Sequence, residues 1–253
     1  MPRYFLEVSY KGTLYKGFQL QPNAKTIQGE IEAAFTILFG KNKAATNFFS
    51  VSNAGWLSCS SRTDAGVHAV QNFFHFDSNS VFKPDWIYNL NAILPSDIVI
   101  ESIKPVADEA HSRFDAKSRL YHYRIYNSKN AFLQETAYFY PYPLDFDKLN
   151  EAAGLLKTFS DFTSFSKRNT QVKTFQCTIL ESRWIKKEDV LIYEVRANRF
   201  LRGMVRALTA TMLKVGRGKI SVAAFKEIIE AKDCTHAFFD TPAHGLFLME
   251  VEF

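Results

Sequence analysis

Ser60-Ser61-Arg62-Thr63-Asp64-Ala65-Gly66-Val67-His68-Ala69 sets a polar cluster with a single carboxylate between two apolar, strand-like runs at 56–60 and 69–76. Two such runs around a turn argue for strand pairing in a sheet, and turns of this kind display functional side chains. Gly66 permits a tight bend, Thr63 can hydrogen-bond local backbone, and Arg62 can pair with Asp64 or reach a phosphate. The residues alone leave a second reading open, an Asx-turn with a surface arginine that shapes a loop and does no chemistry.

Upstream of this stretch, Tyr4, Leu6, Val8 and Tyr10 alternate with Arg3, Glu7 and Ser9, the period of a half-buried strand. After a loop at 12–22, Thr26 can cap a helix with Ile27, Ile31, Ala34 and Leu38 on one face and Gly40 at its end. Downstream come a short helix near 84–94 and a strand at 98–103. The second half repeats the logic, with a strand at 118–126, a helix near 146–156 and a hairpin across 186–189. A long helix is expected from about 200 to 215, stopped by Gly216 and Gly218, then one capped by Ser221 and reaching 231. Phe247, Met249, Val251 and Phe253 alternate as a closing strand. Clean βαβ alternation is missing, so the class is α+β: two similar halves, 1–112 and 113–253, each a mostly antiparallel sheet with helices on one face, joined around a central basic active-site cleft.

The chain has 253 residues, 47% hydrophobic and 23% charged, which is ordinary globular usage and excludes disorder or a fibrous repeat. Its 24 Phe and 11 Tyr favour packing in strands, with some left to stack on bases. A net charge of +5 favours a polyanionic partner. The opening MPRYFLEVSYKG lacks a signal-peptide core and no window nears the apolar length of a membrane span, so a cytoplasmic protein without membrane contact is expected. Cys59, Cys177 and Cys234 are widely spaced and fit reduced thiols. The six histidines show neither HExxH nor His/Cys zinc spacing, and no Walker A loop or GxGxxG occurs, so no metal or nucleotide cofactor is expected. Cys59 with His68 could suggest a thiol nucleophile, but strand packing suits Cys59 better.

Between Val195 and Lys226 there is no acidic residue, yet Arg196, Arg199, Arg202, Arg206, Lys214, Arg217, Lys219 and Lys226 occur. That is the pattern of a phosphate-binding surface. If the helix starts near 200, Arg199, Arg202 and Arg206 share a face, opposite much of a Leu201, Val205, Leu208, Met212 stripe.

RTDAGVHA at 62–69 resembles the signature of the TruA family of tRNA pseudouridine synthases. GFQLQ at 17–21, NAILP at 91–95, RFDA at 113–116, RLYHY at 119–123 and DFTSF at 161–165 resemble further family motifs in the same order. NRFL at 198–201 with MVR at 204–206, VGRGK at 215–219 and TPAHGL at 241–246 complete a likeness over nearly the whole chain. The resemblance implies uridine-to-pseudouridine isomerisation in the tRNA anticodon stem-loop, at positions 38, 39 and 40, without cofactor or metal. It also implies a homodimer. Asp64 is then the nucleophile or base, attacking C1′, working through a glycal, or adding to uracil C6. Extruding the target base costs on the order of a few kcal/mol, and stacking on Tyr121 can return roughly 1–3 kcal/mol. By the same resemblance Arg62 intrudes where the base leaves, and Arg206 pairs with Asp64 and keeps it ionised. Arg199, Arg202, Phe200 and Leu246 would contact substrate. Arg206→Ala is expected to impair turnover with little loss of fold.

The chain departs from the pattern at Phe18, where Trp is common, and at Val70-Gln71-Asn72, where GQV is frequent. These departures put the target uridine in doubt, not the reaction. A noncatalytic RNA-binding protein with the same basic surface is the rival class. An acidic-residue hydrolase would need a second carboxylate, for which Asp77 and Asp115 are the candidates.

Overall fold

The computed structural model describes residues 2–39, 57–78, 81–168 and 172–253. The chain divides into two compact units, Met1–Lys117 with Leu248–Phe253, and Ser118–Phe247. Both have α+β composition and, apart from one two-residue parallel pair, antiparallel pairing in the registers described below.

In the first unit β1 (Arg3–Tyr10) lies between β4 (Ile98–Val106) and β3 (His68–Asp77), with β2 (Ser58–Cys59) also on β3. Burial along β1 alternates strictly, with Tyr4, Leu6, Val8 and Tyr10 inward as the period-2 pattern requires. Leu6 faces Phe74 and Ile103 across the sheet. Helix α1 (Ile27–Phe39) begins where the Thr26 hydroxyl accepts the Gly29 amide at 3.2 Å, and it buries Ile27, Ile31, Ala34 and Phe35. Leu38 is only half-buried. Phe35 meets Phe76 edge-on at 5.7 Å and Phe18 stacks on Phe74 at 4.8 Å, so much of the phenylalanine surplus is core. Gly40 and Trp56, expected to end the helix and to open β2, lie outside the described residues. Helix α2 (Asp85–Ile93) follows Pro84, and Asn91 exchanges two hydrogen bonds with the backbone of Ile100, which accounts for the asparagine of the 91–95 motif. Part of β9 (Leu246–Glu252) returns to this unit beside β3, where Val251 N–H donates to Gln71 at 3.1 Å.

In the second unit β5 (Ser118–Tyr126), β8 (Val190–Ala197) and β7 (Ile179–Lys187) form an antiparallel sheet, and the short β6 (Tyr138–Phe139) runs parallel to β5. The hairpin turn falls at Glu188 and Asp189, with Glu188 at φ 52°. Helix α3 is Phe146–Leu155, and α5, Val222–Glu230, has the Ser221 hydroxyl accepting the Ala224 amide at 3.0 Å.

The long helix differs from expectation: α4 is Met204–Gly216, not a helix from 200. Gly203 sits at φ 76°, a left-handed conformation that cannot lie inside a right-handed helix. Arg199 and Arg202 therefore precede the helix, and the shared face of Arg199, Arg202 and Arg206 does not exist. Within α4 every residue is buried except Arg206 and Lys214, so it is a central helix and not an amphipathic cover.

Gly203→Ala should lower unfolding stability by about 1–2 kcal/mol, the cost of a left-handed alanine. Were residue 203 inside a helix, the same change would raise stability by roughly 0.5–1 kcal/mol, so the sign in thermal unfolding decides.

Candidate active site

The 60–69 loop leaves β2 and enters β3 with its backbone held at almost every step. Ser60 N–H donates to Phe73 O at 2.8 Å, Phe18 N–H to Thr63 O at 3.1 Å, and Gly66 N–H to Tyr15 O at 3.3 Å. A turn closes where Val67 N–H donates to the backbone O of Asp64 at 3.2 Å, with Gly66 at φ 78°. The 17–21 motif is the shelf under this loop. A methyl group on Gly17 would stand 3.0 Å from Thr63 O, so glycine there lets the two backbones touch. Gly12 N–H donates to Nδ1 of the buried His68 at 3.0 Å, which makes Nδ1 an acceptor and gives that histidine a structural task.

Asp64 is half-buried and Arg62 exposed. The turn is closed by the Asp64 backbone carbonyl, and within the first unit no hydrogen bond or ion pair among the described residues engages its carboxylate. An Asx-turn would use that carboxylate, so this alternative is lost. Arg62 makes no ion pair with Asp64 and lies beside Cys59, whose thiol burial pushes up to about 12 against the pull of Arg62 and Arg113. A thiol so protonated is no nucleophile at neutral pH. The two carboxylates that a hydrolase would need are already occupied. Asp77 takes both ends of the Arg3 guanidinium at 2.7 and 2.9 Å, and Asp115 accepts the His111 amide at 2.7 Å. Among the described residues no cluster of His, Cys, Asp or Glu could hold a metal ion, and no helix is long and apolar enough to cross a membrane.

The second unit carries the other expected site residues. Tyr121 is buried on β5, and Phe200 meets it edge-on at 5.1 Å. The segment that presents Arg199, Phe200 and Arg202 is pinned at both ends. Asn198 exchanges hydrogen bonds with Thr178 at 3.1 and 2.8 Å and its carbonyl accepts from Arg119 at 2.9 Å, while Arg202 O accepts from Lys167 N–H at 3.0 Å. Arg206 donates through Nε and Nη2 to the backbone O of Thr241, and the Thr241 hydroxyl returns a bond to Arg206 O at 2.9 Å. The next residue, Pro242, accepts from Tyr123 Oη at 2.7 Å, and Leu246 is buried at the start of β9. The 119–123, 204–206 and 241–246 motifs thus form one braced assembly.

The acid-free run is less basic in space than in sequence. Arg196 pairs with Glu181 at 3.4 Å, Lys214 with Asp240 at 3.1 Å and Lys226 with Glu230 at 3.6 Å. Arg217 lies over the Tyr142 ring at 3.8 Å. Within the second unit, Arg199 and Arg202 are in no ion pair among the described residues.

Read from the sequence, Tyr10 is a strand residue, Asn72 a departure from the family pattern and Thr241 one member of a motif, none of them with a task in the site. For Asn72 a signal was present, a polar residue at an inward position on a strand whose next inward residues, Phe74 and Phe76, are aromatic. Thr241 acts through its backbone carbonyl, which leaves no side-chain signal.

Residues 153–253 match a family model described as tRNA pseudouridine synthase. The chain is 42% identical to the tRNA pseudouridine synthase A of Parabacteroides distasonis, over 100% of this chain and 96% of that protein. It is 41% identical to the protein of that name from Porphyromonas gingivalis, over 99% and 97%, and 40% identical to that from Bacillus licheniformis, over 96% and 96%. The chain belongs to the tRNA pseudouridine synthase A family.

Arg206→Ala should do more than slow turnover. It strips the donors from the Thr241 carbonyl, beside a threonine that is 2% exposed, and should cost about 1–3 kcal/mol in denaturant unfolding.

Proposed function

We propose that this chain isomerises uridine to pseudouridine in tRNA, at positions 38, 39 and 40 of the anticodon stem-loop, with Asp64 as the catalytic carboxylate. The observation that carries the reading is the Asp64 side chain, half-buried in a loop fixed by its backbone, with its carboxylate unused by the turn. A structural aspartate would spend that group on the fold, whereas a nucleophile or base must keep it available. Family membership supplies the reaction and the substrate class.

In the reaction the N1–C1′ bond breaks, uracil turns within the site, and C5 bonds to C1′. N1 gains a proton and C5 loses one. Asp64 serves as nucleophile toward C1′ or as base toward the sugar, with addition to uracil C6 as the third route. The target base is flipped out of its stem to reach it, and Tyr121, backed edge-on by Phe200, offers the ring on which the base rests. Arg62, exposed two residues before Asp64, fills the space the base vacates. The family likeness assigns Arg206 as the cationic partner of the catalytic carboxylate, and Arg199 and Arg202 take phosphates. Leu246 packs beside the base. In this reading the enzyme works in the cytoplasm as a homodimer.

Release of tritium from tRNA carrying 5-tritiated uridine tests the chemistry, because the new C5–C1′ bond expels that label. The wild type should release it, while Asp64→Asn at matched tRNA binding should be slower by at least about 1,000-fold. Salt-dependent tRNA binding without release by the wild type would establish the RNA-binding class instead. For the assembly, sedimentation at micromolar concentration should give about twice the 29.0 kDa chain mass, and a fully active monomer would remove the homodimer.

A further inference from the structure

Segments far apart in sequence meet beneath the Asp64 loop, and Asn72 is their common partner. Its side chain is fully buried on β3, where the next inward positions hold Phe74 and Phe76. Nδ2 donates to Tyr10 Oη at 3.1 Å and to the backbone O of Ser61 at 3.0 Å. Oδ1 accepts from Ser60 Oγ at 2.8 Å and from Phe73 N–H at 3.0 Å. Tyr10 Oη lies 2.8 Å from Thr63 Oγ1. The phenol oxygen accepts from Asn72 and shares a hydrogen bond with Thr63. One amide thus grips residues 60 and 61 and, through Tyr10, residue 63, immediately before Asp64.

The backbone is shaped to allow this. Val8 faces Asn72 and Tyr10 faces Ala69, so two steps along β1 span three along β3. That β-bulge turns both Ala69 and Asn72 inward, where strict alternation would point only one of them at the core. An amide is the fitting side chain, since it offers two donors and an acceptor in one plane. Were stability the only demand, an apolar residue beside Phe74 would meet it, because matched polar groups buried in a core return little net free energy. What the buried network adds is a single geometry for the loop.

We propose that Asn72 is a positioning residue for the isomerisation: it fixes the backbone from Ser60 to Thr63 and thereby the direction in which Asp64 presents its carboxylate. The proposal rests on the reading of Asp64 as the catalytic carboxylate.

The test uses the full chain, with enzyme in excess over tRNA carrying 5-tritiated uridine, so that the rate of release reports chemistry apart from binding. Asn72→Leu should slow single-turnover release by about 100-fold, the usual cost of a small misplacement, with tRNA affinity within about twofold of wild type. Asn72→Gln, which keeps both donors and the acceptor, should recover about tenfold of that loss. Tyr10→Phe removes the phenol oxygen that links Asn72 to Thr63 but leaves the Asn72 bonds to residues 60 and 61, and should be slowed less. The double variant should be no slower than Asn72→Leu, because both changes break one network. Phe35→Leu, a core change in α1, is the control for lost stability and should turn over at the wild-type rate at a similar thermal midpoint. If Asn72→Leu slows release no more than Phe35→Leu, the positioning role is overturned. Should Asn72→Leu fail to fold, Tyr10→Phe decides, and a wild-type rate there overturns the role. An inactive Asp64→Asn beside a fully active Asn72→Leu removes only the positioning role, whereas an active Asp64→Asn removes the catalytic reading with it.

Discussion

Backbone groups that leave a sheet and turn over other protein must find partners there, because water is no longer available to them. The loop carrying Asp64 meets this constraint with partners drawn from Tyr15, the 17–21 shelf and β3. A hydrogen bond of this kind is worth only about 1 kcal/mol net, yet losing one buried partner costs roughly 1–3 kcal/mol. The loop is therefore held less by the strength of any bond than by the penalty for every other arrangement. The Asp64 backbone is committed to the turn, and its carboxylate takes no part in it.

The second unit meets the same constraint around a helix. Nearly all of α4 is buried, and its two half-exposed cations, Arg206 and Lys214, both reach the 240–241 segment. Two turns of helix separate them, so they lie on one face and clasp one strip of chain. Thr209 and Thr211 return their hydroxyls to the carbonyls four residues earlier, and Thr211 Oγ1 also accepts from Phe238 N–H at 3.2 Å, so buried polar residues of the helix are satisfied. A charge cluster that reads as a nucleic-acid surface is thus divided. Some of it holds the protein together, and Arg199 and Arg202 are left outside those pairings.

Much of the fold was legible because the strands and helices announce themselves by period. The strict alternation of β1, the match of β5 to residues 118–126, and the capping by Thr26 and Ser221 all follow from residues adjacent in sequence. The start of α4 was not legible. Residues 200–203 continue the apolar rhythm of the helix, and only the left-handed backbone of Gly203 interrupts it. Glycine is compatible with either conformation, so composition could not decide. The site was legible as motifs and not as contacts: the 17–21 and 241–246 runs stood out, but their tasks, a shelf under Thr63 and an acceptor for Arg206, belong to backbone atoms that every residue has.

The sequence by itself determined the α+β class, the family and the carboxylate on which the chemistry is proposed to turn, because period, caps and an eight-residue signature are local properties. Only the tertiary structure decided that the Asp64 turn closes through a carbonyl, that Cys59 is an inert core thiol, that Asp77 and Asp115 are spent on Arg3 and His111, and that Asn72 grips the loop. Each of these depends on which groups meet across tens of residues of chain. Burial and hydrogen bonding are set by that meeting, and no local pattern encodes it.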